Sequence, residues 1–455
     1  MTRPADSIPK HRPILAKRLF EPQPPTIELP AGSSTSQLVI SPKSIKETNS
    51  PRLTLAQVDS SSSSLRGKGI SVREPSTGTR EMLHRESDNG EVSEKDGAVG
   101  AGNPNLNGEC LFQFTTGEGR SLLDLDAHDE IIELQLDQAF AGPIEEKAVA
   151  AALSKLTKLP KLSVLKVISG YDYSTSPLLR NLQKEVFWSA LASALPRLPQ
   201  LSSLDVSFNA LDHTDMKYLA EGLRKSPQLS MLDVGHNKLG DRGVETLASV
   251  LPHLPQLRIL RVGENNVERK GLSDLAQALP NLTQLSTFDL EGNRESGGSM
   301  VLKQVLDALP EQLTTLNLSD LHFGSGIAAL VPSLQRFTHL SELNLSCNSI
   351  GKDGGSVLSE LLPKLTQLST LDLWGNNLGP TGIRGLIRAL PELKILTTLN
   401  VNWNNIGDNA GQELAQVLME LCTVRSLSVS EQNQLGEKSQ QMLREAVATA
   451  NTAAQ

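Results

Sequence analysis

The side chain types that perform chemistry in proteins are scattered through this 455-residue chain. Its cysteines, Cys110, Cys347 and Cys422, lie far apart and form no C-x-x-C pair, so neither a disulfide framework nor a zinc knuckle is expected. His236 has no cysteine or carboxylate at metal-ligand spacing, and Cys347, in the turn "SCNS", reads as a tolerated small residue rather than a nucleophile. "GKGIS" near Gly67 lacks the upstream glycine of a phosphate loop, and "GAVGAGNP" precedes no strand and helix. No Ser-His-Asp set or working pair of carboxylates can be defined. The chain is therefore read as a non-enzyme with no catalytic residue, cofactor or metal. What remains is recognition chemistry, and its clearest carriers are two of the three tryptophans, Trp374 and Trp403.

Composition narrows the elements that must position them. Aromatic residues are 3% of the chain while leucine recurs throughout, so any core is aliphatic, and repetition is favoured over one large compact fold. A formal net charge of -8 argues against a nucleic-acid or membrane-surface binder, because phosphate attraction needs clustered lysine and arginine. No run approaches the roughly 20 apolar residues of a membrane-spanning helix. Nor does the amino terminus carry the apolar core, about 7 to 15 residues long, of a secretory signal peptide. A soluble protein is expected.

Three regions differ in texture. Residues 1–108 form a leader rich in Ser, Pro and Gly, with "EPQPPTIELP", "DSSSSSLRGKG" and "DGAVGAGNP". It is expected to be disordered, because it cannot bury enough apolar surface to offset backbone ordering at roughly 1 to 2 kcal/mol per residue. Residues 109–200 read as irregular capping repeats that include the insertion "YDYSTSPLLRNLQKEVFW". Residues 201–455 carry a regular repeat and a polar closing helix, "EKSQQMLREAVATANTAAQ".

The repeat follows L-x-x-L-x-L/V-x-x-N-x-L and opens at Leu201, Leu229, Leu257, Leu285, Leu313, Leu340, Leu368, Leu396 and Val424, in 28-residue steps except for one of 27. Looser openings fall at Ile131 and Leu162. In "LSSLDVSFNAL" the residues Leu201, Leu204, Val206 and Leu211 are expected to point inward, with Asn209 satisfying backbone groups where the chain leaves the strand. Leu321 replaces that asparagine in one unit, and Asn433 arrives one residue late in the last. The second half of each unit, as in "GVETLASVLPHLPQL", has helical spacing and ends at a Leu-Pro step. Parallel strands stack about 4.8 Å apart while packed helices need about 8 to 10 Å, so the stack must bend with its strands inside.

Strand residues between the inward leucines then line the concave wall in columns. One column reads Asp205, Asp233, Arg261, Asp289, Asn317, Asn344, Asp372, Asn400 and Ser428. The next reads Ser207, Gly235, Gly263, Glu291, Ser319, Ser346, Trp374, Asn402 and Ser430. Trp403 lies one repeat beyond Trp374 and one column over. Both tryptophans are expected on the exposed inner surface, where large aromatic anchors concentrate interface energy. The candidate partner-binding residues are Asp205, Asp233, Arg261, Asp289, Glu291, Asp372, Trp374, Asn402 and Trp403, the acids facing a basic partner. The bland alternatives are solvated carboxylates, and an indole pair that only covers the sheet.

The pattern resembles leucine-rich repeats, with a length similar to the ribonuclease-inhibitor class, from about residue 122 to about 450. That resemblance implies an α/β solenoid, a horseshoe with a parallel concave sheet and convex helices, that binds a protein partner and neither nucleic acid nor a small-molecule substrate. The leader, with Ser60 to Ser64 and the prolines from Pro22 to Pro25, joined to such repeats resembles leucine-rich-repeat effectors that bacteria inject by type III secretion. It implies export by that non-classical route into a host cell and a cytoplasmic place otherwise. Two other classes share the repeat. A ubiquitin-ligase component would need an F-box, for which "SLLDLDAHDEIIEL" is too short, and a Ran-type GTPase-activating protein resembles this chain in repeat length but ends in a long acidic tail.

Overall fold

The computed structural model describes residues 153–159, 161–170, 177–293, 299–429 and 432–454, and the strand segments 36–42, 53–58, 114–116 and 131–139; side chains are described within these ranges from 153 to 167 and from 184 onward. Most of the leader, Cys110 and Ser430 lie outside the described residues, as does much of the insertion. Of the leader, Ser36–Pro42 (β1) and Leu53–Val58 (β2) are described, as an antiparallel pair. Phe114–Thr116 (β3) pairs with β2, and Ile131–Ala139 (β4) pairs with β1.

From β4 onward each strand lies parallel to the next. Val164–Gly170 (β5) is followed by Ser203–Asp205 (β6), Met231–Asp233 (β7), Ile259–Arg261 (β8), Thr287–Asp289 (β9) and Thr315–Asn317 (β10). Glu342–Asn344 (β11), Thr370–Asp372 (β12), Thr398–Asn400 (β13) and Ser426–Ser428 (β14) complete the series. Sequence order is spatial order from β4 to β14. The register is set by the buried fourth position of each repeat, which pairs Leu204, Leu232, Leu260, Phe288, Leu316, Leu343, Leu371, Leu399 and Leu427 in turn. A one-residue slip would turn every such leucine out of the core.

Helices return the chain on the other face: Pro177–Ala194 (α1), His213–Leu223 (α2), Gly240–Val250 (α3), Arg269–Ala278 (α4) and Ser299–Ala308 (α5). Ile327–Leu334 (α6), Gly351–Leu361 (α7), Gly379–Ala389 (α8), Asp408–Leu421 (α9) and Glu437–Ala453 (α10) follow. Their inner stripes, such as Val244, Leu247 and Val250, are fully buried against the strand leucines. At five repeats the Leu-Pro step does more than end the helix. It opens a 3₁₀ turn, as at Leu251–His253 and Leu390–Glu392, that hands the chain to the next strand. Trp188 is core, 1% exposed and edge-on to Phe187 at 5.0 Å. No helix among the described residues is long and apolar enough to cross a membrane.

Neighbouring repeats are locked by side-chain ladders as well as by strand pairing. Asn237 shows the first: its Oδ1 accepts from the N–H groups of Asn209 and Leu211 one repeat back, at 2.9 and 3.0 Å. Its Nδ2 donates to the carbonyls of Val206, Val234 and Gly235. Asn265, Asn293, Asn348, Asn376 and Asn404 act alike, and the late Asn433 still reaches the N–H of Asn404 and the carbonyl of Val401. Leu321 has no side-chain oxygen or N–H to offer, so the ladder is interrupted there. A second ladder follows from the serine or threonine after each opening leucine. Hydroxyls of Ser202, Ser230, Ser286, Thr314, Ser341, Ser369 and Thr397 each donate to the backbone carbonyl at the same position of the preceding repeat, at 3.0 to 3.3 Å.

Candidate functional site

The wall of the sheet turned away from the helices carries the candidate residues, and its strands are only three residues long for a local reason. At the fifth position of a repeat an Asp or Asn side chain curls forward, so that its Oδ1 accepts the N–H of the seventh. Asp205 takes Ser207 at 3.0 Å, Asp233 takes Gly235 at 2.8 Å, Asp289 takes Glu291 at 2.9 Å and Asp372 takes Trp374 at 2.8 Å. Asn317, Asn344 and Asn400 do the same for Ser319, Ser346 and Asn402. These short polar side chains mimic a turn and end the strand. The acidic column therefore has a structural duty that one-sequence reading missed, although its 28-residue recurrence of Asp or Asn was the signal.

The turn that follows passes through left-handed backbone at the eighth position of every repeat from Leu201 to Leu396, and one residue later, at Gln432, in the last. Phe208, His236, Glu264, Asp320, Cys347, Trp403 and Gln432 have φ between 50 and 59°. Gly292 and Gly375 occupy the same place with φ of 68°. For side chains other than glycine this region is disfavoured, and most of all for bulky ones. Glycine at 292 also makes room: a methyl group there would lie 2.5 Å from the carboxyl carbon of Glu264.

The surroundings of the carboxylates divide the candidates into two groups. Toward the amino-terminal end, Arg261 on β8 reaches back to Asp233 on β7, with Nη1 to Oδ2 at 3.1 Å. Asn317 Nδ2 bridges Asp289 Oδ2 at 3.1 Å and Glu291 Oε2 at 3.0 Å. Burial, with the charge of Glu291 beside it, pushes the Asp289 carboxyl up to about 7. Burial and the neighbouring Asp205 push Asp233 up to about 6, against the pull of Arg261. Burial alone raises Glu342. Burial in a poorly hydrated strip is the common cause, and like charge adds to it at Asp233 and Asp289.

The second group lies three strands further on, with Asp372 on β12 beneath Trp374, Asn402 and Trp403. The expectation that both tryptophans are exposed is corrected for Trp374, which is 3% exposed. The tryptophan of the next turn covers it. Trp403, from the left-handed position of the next turn, lies against it with ring centroids 6.0 Å apart and planes tilted by 50°. Trp403 itself is half-buried, as is Asn402. Asp372 is 1% exposed, its Oδ1 committed to the Trp374 N–H.

An aromatic pair at the opposite end escaped the sequence reading. Phe208 stacks on His236 with centroids 4.1 Å apart and planes within 10°, and Phe208 is 51% exposed. The column of eighth positions that joins Phe208, His236 and Trp403 was legible only as spacing, without the backbone handedness that turns these side chains onto the rim. No cluster of three or more His, Cys, Asp or Glu able to hold a metal is found among the described residues. The Cys422 thiol donates to the Met419 carbonyl at 2.6 Å.

Comparison with known proteins agrees with the repeat. The family model described as "Leucine Rich repeat" matches residues 226–248, 338–359 and 394–415, each beginning two or three residues before an opening leucine. Comparison with curated protein sequences finds no match. Among solved structures the chain is similar to an internalin (inlF) of Listeria monocytogenes, at 19% identity over 68% of this chain and 89% of that one, TM-score 0.36. It is similar to the leucine-rich repeat-containing protein LegL7 of Legionella pneumophila, at 18% identity over 70% and 91%, TM-score 0.40. The complex of Rad7 and Elc1 in yeast contributes a third, at 16% identity over 67% and 81%, TM-score 0.39. With strands β4 to β14 parallel in succession and backed by returning helices, a buried asparagine at the end of most strands and matched repeats in one phase, the fold of this chain is that of a leucine-rich-repeat solenoid.

Proposed function

We propose that the concave wall holds a partner protein and that Trp403 is the anchor of its carboxy-terminal half. The observation that carries this reading is the conformation of Trp403: half-buried, with φ of 56°, where Gly375 and Gly292 serve the same turn without steric cost. Left-handed backbone is common to the eighth positions, and at this one it holds the bulkiest side chain, at a cost on the order of 1 to 3 kcal/mol. Trp374 is the buried floor that fixes the exposed edge of Trp403, and rigid aromatic anchors dominate interface energy. The finer reading is a bacterial effector delivered by type III secretion. Its support is the Ser- and Pro-rich composition of residues 1–108 ahead of the repeats.

The test uses two variants with opposite expectations. Trp403→Asn relieves the backbone and should leave thermal stability nearly unchanged, while capture of a partner falls about tenfold, or ~1.4 kcal/mol. Trp374→Ala should destabilise the fold by about 3 to 5 kcal/mol, because it empties a buried site. Full capture by Trp403→Asn would remove the reading. For delivery, a reporter fused to the leader should leave a cell through a type III apparatus, and unchanged export of the chain without its leader would count against the effector role.

A further inference from the structure

The amino-terminal half of the wall has a character that the tryptophan site does not explain. Phe208 is among the few large apolar side chains exposed among the described residues, and it sits in left-handed backbone, φ 59°, on the rim above β6. His236 lies flat against its ring from the next repeat. Below this ledge, half-buried Met231 and Ile259 stand on the open face of β7 and β8. Asp233, Asp289 and Glu291 lie along the same strip, with Arg261 the one cation among the fifth positions from β6 to β14. Charges of one sign crowd together here beside apolar surface, and a residue unsuited to its backbone is kept exposed at the edge.

We propose that this half of the wall is a second docking surface, which takes an extended cationic segment of a partner protein, one apolar side chain of the segment resting on Phe208 and its cations on Asp233, Asp289 and Glu291. The proposal rests on the protein-binding reading above and adds the chemistry of the partner. Charge complementarity selects the occupant. Asp233 and Asp289 each spend one oxygen on their own turn; the other meets Arg261 in the first and, in the second, shares the neutral Asn317 amide with Glu291, so an arginine or lysine brought there relieves the repulsion between Asp289 and Glu291. Stacked aromatic faces also attract guanidinium groups. From β6 to β9 the wall spans three strand steps, about 14 Å, which is the length of four or five extended residues. Acidity is denser in this half: Asp205, Asp233 and Asp289 hold the fifth position on β6, β7 and β9, whereas beyond β9 Asp372 alone does, beside the asparagines of β10, β11 and β13.

The experiment titrates the full chain with a fluorescein-labelled hexapeptide in which three arginines alternate with glycine behind an amino-terminal phenylalanine, read by anisotropy at low salt. Its counterparts carry glutamate for arginine, or serine for phenylalanine. The arginine peptide should bind and the glutamate peptide should not. Affinity should fall about tenfold in the double variant Asp289→Asn with Glu291→Gln, which keeps the Oδ1 acceptor of the turn. Phe208→Gly should weaken the phenylalanine peptide several-fold, down to the level of the serine peptide. Equal loss in a control with Glu360→Gln and Glu420→Gln, on helices of the other face, would reduce the effect to general charge attraction and overturn the proposal, as would unchanged affinity in Phe208→Gly or no binding at all. Trp403→Asn separates the two readings. If it alone abolishes binding while Phe208→Gly does not, the second surface is wrong and the tryptophan site stands.

Discussion

A carboxylate on this wall serves two purposes that pull against each other. Asp289 must keep an oxygen for the Glu291 N–H, yet its burial beside Glu291 raises its proton affinity until it titrates at about 7. In the unfolded chain the same group loses its proton near its ordinary value of 3.8. Between those values the folded state holds more protons, so its stability is full below the lower one and is lost as pH rises through the upper. Scanning calorimetry should find a melting temperature to which this group contributes a decline from about pH 4 to about pH 7. Asp289→Asn, with the acceptor kept and the charge gone, should flatten most of that decline, and an unaltered pH profile would show that burial does not govern this group. Phe208 gives a second test at this scale. Replacement by glycine removes a left-handed penalty of about 1 kcal/mol and little buried area, so urea unfolding should show stability retained or slightly raised.

Between elements, the side-chain ladders and the helix contacts decide how tightly repeats stack. The Asn348 side chain accepts from the Leu321 N–H at 3.0 Å and donates to the carbonyls of Leu318, Leu345 and Ser346. Asn348→Ala would leave those buried groups unpaired, at a cost of about 2 to 4 kcal/mol, measurable by urea titration. On the other face α7 and α8 approach closely because glycines meet there. A Cβ at Gly385 would fall inside the van der Waals envelope of the Gly355 carbonyl oxygen, which no rotamer change can relieve. Gly385→Ala should therefore push α8 off α7 and lower stability by about 1 to 3 kcal/mol. An effect near zero in a melting experiment would mean that the two helices slide freely.

Across the whole solenoid, each repeat touches its neighbours and little else, so stability is a sum of repeat and interface contributions and the weakest interface opens first. Strand pairing and the hydroxyl ladder continue through β9, β10 and β11, but the asparagine ladder is interrupted at Leu321. Native-state hydrogen exchange should show the lowest protection of the inner strands around β9 and β10. Uniform protection from β6 to β13 would mean that the side-chain amides add little to the stack. That seam also divides the two proposed docking surfaces, the more acidic half with Phe208 and the half with Trp403.

What the amino-acid sequence determined by itself is whatever repeats and acts between nearest neighbours. The opening leucines, the inward positions, the terminal asparagines and the helical stripes all recur every 28 residues, and a parallel stack is the arrangement that buries them together. The site was legible only in outline. Alternation along a strand places Trp374 and the aspartates on the open face, but it carries no information about the room left there. Tertiary structure decided that Trp403 covers Trp374, and that the aspartates fold onto their own turns. It also decided that the eighth position turns left-handed and carries Phe208 and Trp403 to the rim. Backbone handedness and the contact between neighbouring turns are properties of the assembled stack, and no single repeat contains them.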